Sequence, residues 1–217
     1  GTDVTFGFHT AVDVATEAIE RVRTTAASHG RTMLVEVMGN KAGWLTLYAG
    51  IAAGADAILI PEIPFNIDKV CEAVLNNYKA GKPCNIIAVA EGAVLDSEAP
   101  YKKKERAFVR ASRGETTVTS HLAEVIGERT GAETRATVLG YIQRGGNPSA
   151  YDKALSTRLG SYAGMLAKEG RFGVTVAVSG SKITFNALQD VAGKYKLVDP
   201  ASEIVRAAED IGVCMGR

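Results

Sequence analysis

Three short apolar runs in this sequence each end in glycine beside polar side chains able to hold a small ligand. After LVEV come Met38, Gly39 and Asn40; after IIAVA come Glu91 and Gly92; after TVLG come Tyr141, Gln143 and Arg144, then Gly145 and Gly146. An arginine offers a planar fork of donors that matches phosphate, and a carboxylate accepts from sugar hydroxyls. Glycine lets a ligand approach the backbone closely. That combination suits a phosphorylated, polyhydroxylated small molecule, although any one of these glycines is also ordinary turn punctuation. Two further arginines, Arg31 and Arg135, come before their runs instead of after them. Either they are solvated strand-start residues, or they reach a site on another copy of the chain, as a symmetric oligomer allows. On the second alternative Arg144 serves its own subunit and Arg135 a neighbour.

The elements that must position these residues alternate in type. Val12, Ala15, Ala18, Ile19 and Val22 fall at helical spacing and predict a helix over 9–28, with Gly30 as its stop. A β-rich run at 32–39, ending in glycine, is followed by a small-residue helix over 43–54 and a strand opening AILIPEIP. Then come a helix over 67–79, a strand at 85–92 ending in another glycine, a helix over 118–129, a strand at 136–142, a helix over 149–168, a strand at 173–178 and a last helix over 202–211. This alternation predicts an α/β protein, a mainly parallel sheet with helices on both faces. In such sheets ligands bind beyond the carboxyl ends of the strands, where the three glycine-bearing turns fall. The stretch DSEAPYKKKERAFVRASRGETT, with Lys102, Lys103, Lys104, Arg106, Arg110 and Arg113, reads as a solvated loop or helix face; a dedicated anion site is the alternative.

The totals exclude several classes. Of the 217 residues, 46% are hydrophobic and 23% charged, which is globular composition. A formal net charge of +1 gives no global field for nucleic acid or an anionic membrane, so anion recognition must be local. Cys71, Cys84 and Cys214 are odd in number and lack C-x-x-C spacing, which argues against a disulfide framework or structural zinc and for the reducing cytoplasm. No apolar run approaches the ~20 residues that span a bilayer. The opening GTDVTFGFHT has no signal-peptide pattern and no initiator Met, so the chain is expected to start partway through a longer protein.

Taken in order, GTDVTFGFHTAVDVATEAIERVR, VEVMGNKAGWLTLYAGIAAGADAILIPEIPF and ETRATVLGYIQRGGNPSAYDKALSTRLG resemble the 6-phosphofructokinase family, over most of 1–164. The resemblance implies an incomplete, Rossmann-like fold. Residues 1–142 would form a sugar-phosphate-binding domain, with 195–217 as a candidate to return to it, and 143–194 part of a nucleotide-binding domain. It implies transfer of a phosphoryl group from ATP or pyrophosphate, with Mg2+, to the 1-hydroxyl of fructose 6-phosphate, giving fructose 1,6-bisphosphate in glycolysis. It further implies a cytoplasmic homo-oligomer, dimer or tetramer, with shared sites. Met38, Gly39, Glu91 and Arg144 match the sugar-phosphate pocket of the home subunit, with Asn40 and Tyr141 beside them. Arg31 and Arg135 match arginines that reach the 6-phosphate of a neighbour's substrate. Arg23 and Asp56 match an allosteric nucleotide site, with helix-surface ions as the plain alternative.

Some positions depart from the pattern. Asn40 stands where many members have arginine, Tyr141 where many have histidine, and Asp56 where glutamate is usual; a tyrosine hydroxyl can still donate to phosphate. In the family an Asp-rich motif carrying the catalytic base and the magnesium carboxylate directly precedes Gly-Thr-Asp. The resemblance therefore implies no catalytic residue and no metal ligand in this chain, and no activity from it alone. A non-catalytic sugar-phosphate-binding or regulatory module is the alternative. Tyr141 and the AGW at 42–44 point towards the branch that includes pyrophosphate enzymes but leave the donor open.

Overall fold

The structure, a computed structural model, describes residues 1–112 and 117–217, and Arg113 of the basic stretch lies outside them. Its contacts divide the chain into two units: Val12–Gln143 with Leu197–Arg217, and Gly1–Ala11 with Arg144–Lys196.

The first of these is built on four parallel strands. They are β1 (Thr32–Val37), β2 (Ala57–Leu59), β3 (Asn85–Ala90) and β4 (Thr134–Val138), in the order β2-β3-β1-β4. Every residue of β1, β2 and β3 is buried, as expected of strands covered on both faces. Side chains alternate between two cores. Met33, Val35, Val37, Ile58, Ile86 and Ala88 pack on one face under α1 (Phe8–His29), α2 (Trp44–Ala52) and α8 (Glu203–Asp210). Leu34, Leu59, Ile87 and Val89 pack on the other under α3 (Ile67–Lys79) and α5 (Val118–Thr130). The helices follow local rules. Ala15, Ile19 and Ala26 give α1 its buried stripe, and Gly30, at φ +68, ends it. Asn66 caps α3 by accepting from the Asp68 N–H at 2.8 Å, and Thr117 caps α5 by accepting from the Ser120 N–H at 3.1 Å. The carboxyl-terminal segment adds to the free side of β2, where Ile58 N donates to Cys214 O and Cys214 N to Asp56 O. The basic stretch forms a helix, α4 (Lys103–Ser112), held by the ion pair between Arg110 and Glu98.

One predicted strand needs correction. The run expected at 136–142 is β4, which begins earlier and stops at Val138. Leu139 N gives the last ladder bond to Glu36 O at 3.2 Å, and Gly140 then takes φ +56 and turns the chain into a 3-10 segment, Gly140–Arg144. Arg135 therefore lies inside its strand, not before it.

The other unit holds α6 (Ala150–Lys168), a hairpin of β5 (Val174–Ser179) and β6 (Lys182–Ala187), and the short α7 (Leu188–Val191). The pair is antiparallel, turning at Gly180 with φ +57. Only its first strand is expected from the sequence, because KITFNA is too short and mixed to stand out. Leu155, Leu159 and Val178 form the core, with Val4, Val176 and Ile183 against it. The grouping of 1–142 also changes at its start. Asp3 N donates to Val178 O, Val178 N to Thr2 Oγ1 and Gly180 N to Asp3 Oδ2, which ties the first residues to the hairpin.

Asp152, 1% exposed, is the main polar anchor of this unit. Its carboxylate accepts from Gly7 N, Thr10 N and Thr10 Oγ1, and so caps the first turn of α1. Burial alone would push this carboxyl up, but the hydrogen bonds from Thr10 and Gly7 and the nearby His9 outweigh it and hold it below the usual range. A depressed folded value adds stability above the unfolded value and loses it as pH falls through the folded one. Asp152→Ala is expected to cost about 2 kcal/mol at neutral pH, the upper end for a cap. Denaturant unfolding of both proteins at pH 7 and then progressively below about pH 3.9 should show the difference shrinking with acid; a difference independent of pH would mean that the charge contributes nothing.

Candidate functional site

The carboxyl edge of the sheet brings two of the three glycine-bearing turns into backbone contact. Glu91 N donates to Val37 O at 2.9 Å, one step past the ladder, and Gly92 N donates to Gly39 O at 3.2 Å. A Cβ on Gly92 would sit 2.3 Å from Asn40 O and 2.8 Å from Gly39 O, so no larger residue fits there without moving backbone. A Cβ on Gly39 would lie 3.1 Å from Ala42 O. Met38, Gly39, Asn40 and Glu91 are thus held as one group. The Glu91 carboxylate is 3.5 Å from Gly39 N, long for a hydrogen bond.

The third turn is Gly140–Arg144. Tyr141 is 84% exposed there, and Arg144 ends the segment and begins the other unit. Between them Gln143 is 2% exposed; its Oε1 accepts from Met38 N at 3.1 Å and its Nε2 donates to Gly140 O at 2.9 Å. Sequence reasoning placed Gln143 in the turn but gave it no role, and also passed over Glu62. The Glu62 carboxylate accepts from Gly43 N at 2.9 and 3.1 Å and from Val198 N at 2.9 Å, which fixes the chain entering α2 just beyond Asn40. A polar residue within a few positions of a glycine or proline turn is the one sequence signal that either carries.

Arg31 and Arg135 come together at the opposite edge. Both Nη2 atoms lie 2.9 Å from the same oxygen, Oε1 of Glu133. Arg135 Nη1 also donates to Thr134 O at 3.0 Å. The hydrogen bond from Arg31, together with the charges of Arg31, Arg135 and His29, holds the Glu133 carboxyl below its usual range although desolvation opposes it. Two guanidinium groups that share one oxygen are close enough to share one phosphate.

Arg23 and Asp56 meet at the connection from α2 to β2. Arg23 Nη2 donates to Ala53 O at 2.7 Å and Gly54 O at 2.6 Å, and Asp56 accepts from Ile86 N and Lys82 Nζ, each at 2.8 Å. Those bonds account for both side chains as parts of the fold. Among the described residues, no three His, Cys, Asp or Glu side chains are grouped to hold a metal ion. No helix among them is long and apolar enough to cross a membrane. Cys71, Cys84 and Cys214 are free thiols, each pushed up by burial.

Parallel strands under helices define an α/β protein, and in such sheets ligands bind beyond the carboxyl ends of the strands. The sequence model of the phosphofructokinase family matches residues 1–167. The chain belongs to that family. ATP-dependent 6-phosphofructokinase 3 of Bacteroides thetaiotaomicron is 45% identical over 216 residues, covering all of this chain and 59% of that protein. The pyrophosphate–fructose 6-phosphate 1-phosphotransferase of Amycolatopsis methanolica is 48% identical over 202 residues, covering 92% of this chain and 58% of its own length. The phosphofructokinase structure from Saccharomyces cerevisiae superposes with a TM-score of 0.74 at 36% identity, over 87% of this chain and 24% of that one. The chain thus spans under two thirds of the length of these relatives.

Gly92→Ala is expected to cost about 1–3 kcal/mol or more, because the new methyl group meets backbone that cannot yield. Gly164→Ala in α6, with nothing within 4 Å of its Cβ position, should instead stabilise by about 0.5–1 kcal/mol. Thermal unfolding of the two variants checks the contrast; equal stability would mean that the loops at Gly39 and Gly92 separate freely.

Proposed function

We propose that this chain is the sugar-phosphate-binding portion of a 6-phosphofructokinase that transfers a phosphoryl group to the 1-hydroxyl of fructose 6-phosphate. The observation that carries this reading is the joining of Met38, Gly39, Asn40 and Glu91 through the Gly39–Gly92 backbone contact, in a chain of this family. In the proposed site Glu91 accepts from sugar hydroxyls, backbone at Met38 and Gly39 lines the sugar, and Tyr141 and Arg144 donate to phosphate. Asn40 supplies a neutral donor where an arginine is common. The donor is ATP or pyrophosphate, since relatives named for each are of similar identity. The base that takes the proton of the 1-hydroxyl and the Mg2+ ligands are assigned to residues other than these 217.

The same reading makes the enzyme a cytoplasmic homo-oligomer. The pair Arg31 and Arg135, converging on Glu133 at the edge opposite Glu91, serves the 6-phosphate of a neighbouring subunit's substrate. In the assignment of domains, the sheet unit binds the sugar phosphate, and the unit containing 144–196 belongs with the phosphoryl donor. The bonds of Arg23 to Ala53 O and Gly54 O and of Asp56 to Ile86 N and Lys82 Nζ favour a fold-holding role for this pair over the allosteric one.

In the complete enzyme, Arg144→Ala is expected to weaken fructose 6-phosphate binding by roughly 10–150-fold, the loss of a charge-assisted hydrogen bond. Steady-state kinetics at varied substrate would show it, and an unchanged KM would remove Arg144 from the pocket.

The shared site has its own test. Enzymes carrying Arg135→Ala or Glu91→Ala should each be impaired. Mixed into one oligomer they should regain part of the activity, because some interfaces then join an intact Arg135 to an intact Glu91 pocket. Mixed oligomers no more active than the separate variants would show that Arg135 acts within its own subunit.

A further inference from the structure

We propose that Gln143 is a positioning residue for the sugar-phosphate site, its buried carboxamide setting the spacing between Met38 at the end of β1 and Tyr141 on the turn that follows β4. The inference rests on the substrate reading given above, because it takes Met38, Tyr141 and Arg144 to be substrate ligands.

The backbone ladder between β1 and β4 runs out just short of these residues. Its last paired positions are Glu36 and Val138, and its last bond is Leu139 N to Glu36 O. Past that point Gly140, at φ +56, carries the chain away from the strand direction. Tyr141 and Ile142 point outward, 84% and 59% exposed, while Gln143 turns inward and is almost wholly buried. Both ends of its carboxamide are used. Oε1 accepts from Met38 N at 3.1 Å, and Nε2 donates to Gly140 O at 2.9 Å. The partners fix the orientation of the group, since a backbone N–H can only donate and a carbonyl can only accept. A carboxamide offers the same donor and acceptor as a peptide unit. The side chain therefore adds one more rung after the backbone ladder stops, and that rung falls between two proposed ligand-bearing segments.

A purely structural glutamine would also be buried and bonded at both ends. What separates the two roles is where the bonds lead. One goes to the backbone of Met38 itself, and the other closes the turn that carries Tyr141 and leads directly into Arg144. Loosening this rung lets those segments move apart without unpairing any strand, because the β1–β4 register is complete without it. The effect should then fall on substrate binding and leave most of the fold intact.

The test uses the complete enzyme and fructose 6-phosphate as the probe. Gln143→Met keeps the length and removes both bonds; it should raise KM about tenfold, equivalent to about 1.4 kcal/mol, with kcat within about twofold, the pattern for lost binding common to ground and transition states. Gln143→Glu keeps the acceptor for Met38 N but sets a carboxylate against Gly140 O. Its KM should be raised at neutral pH and should return towards that of the unaltered enzyme as the pH falls, because the protonated acid can again donate. This protonation rescue also serves if Gln143→Met fails to fold. Arg144→Ala is measured alongside. If it raises KM while neither Gln143 variant does, and those variants only melt earlier, Gln143 merely holds the fold and the inference is overturned. If Arg144→Ala leaves KM unchanged, the substrate reading falls, and with it the inference that depends on it.

Discussion

The carboxyl edge of the sheet depends on one close approach, the contact of backbone with backbone at Gly39 and Gly92. Two parallel strands separated by a normal ladder spacing must release their chains side by side, and the chains then diverge unless something holds them. Here the Gly92 N–H to Gly39 O bond holds them, and only a residue without a Cβ permits it, since a methyl group would lie 2.3 Å from Asn40 O. The consequence is local and chemical. Met38, Gly39 and Asn40 lie beside Glu91, so backbone and a carboxylate face the same small volume. Glu62 then fixes the chain at Gly43, which leaves little freedom between the end of β1 and the start of α2.

At the opposite edge the constraint is electrostatic. The register that sets Thr32 against Thr134 brings the residues before each into the same region, and Glu133 takes both guanidinium groups on a single oxygen. Exposed ion pairs of this kind add little to stability because water screens them and the long side chains lose freedom. Their effect is on geometry. With Glu133 between them, Arg31 and Arg135 are held near each other without a ligand, so less ordering is left to be done when a doubly charged anion arrives. A net formal charge of +1 over 217 residues gives an anion no general attraction, so the proposed phosphate role of the arginine pair would have to act locally.

Much of this was legible in the residues. The helix over 67–79 matches α3, and the β-rich runs TMLVEVMG and NIIAVAEG contain β1 and β3, which stop short of the closing glycines, because largely apolar runs between glycines have few other readings. That Arg31 and Arg135 fall at one edge and the glycine-bearing turns at the other follows from parallel pairing, although Arg135 lies inside β4 and not before it. What was not legible is instructive. The end of β4 was missed because LGYI continues the apolar run, and the break comes from the backbone angle of Gly140, which composition does not reveal. The second strand of the β5–β6 hairpin was missed because half-buried, mixed residues lack a clear period. Gln143, Glu62 and Asp152 escaped notice as anchors because each acts through backbone partners far along the chain: Asp152 bonds residues more than 140 positions away.

These three anchors share a physical logic. Each is a buried or half-buried acceptor for backbone N–H at a place where regular hydrogen bonding has just stopped or has yet to start. Asp152 serves the opening turn of α1, Glu62 the chain leading into α2, and Gln143 the end of the β1–β4 ladder. Unsatisfied backbone donors are costly to bury, so such ends need partners. A charged acceptor suits a helix start, where the aligned N–H groups carry partial positive charge. A neutral carboxamide suits the ladder end, where a donor and an acceptor must be met together. A carboxylate there would leave Gly140 O facing negative charge, which is why that position calls for glutamine and the helix starts call for acids.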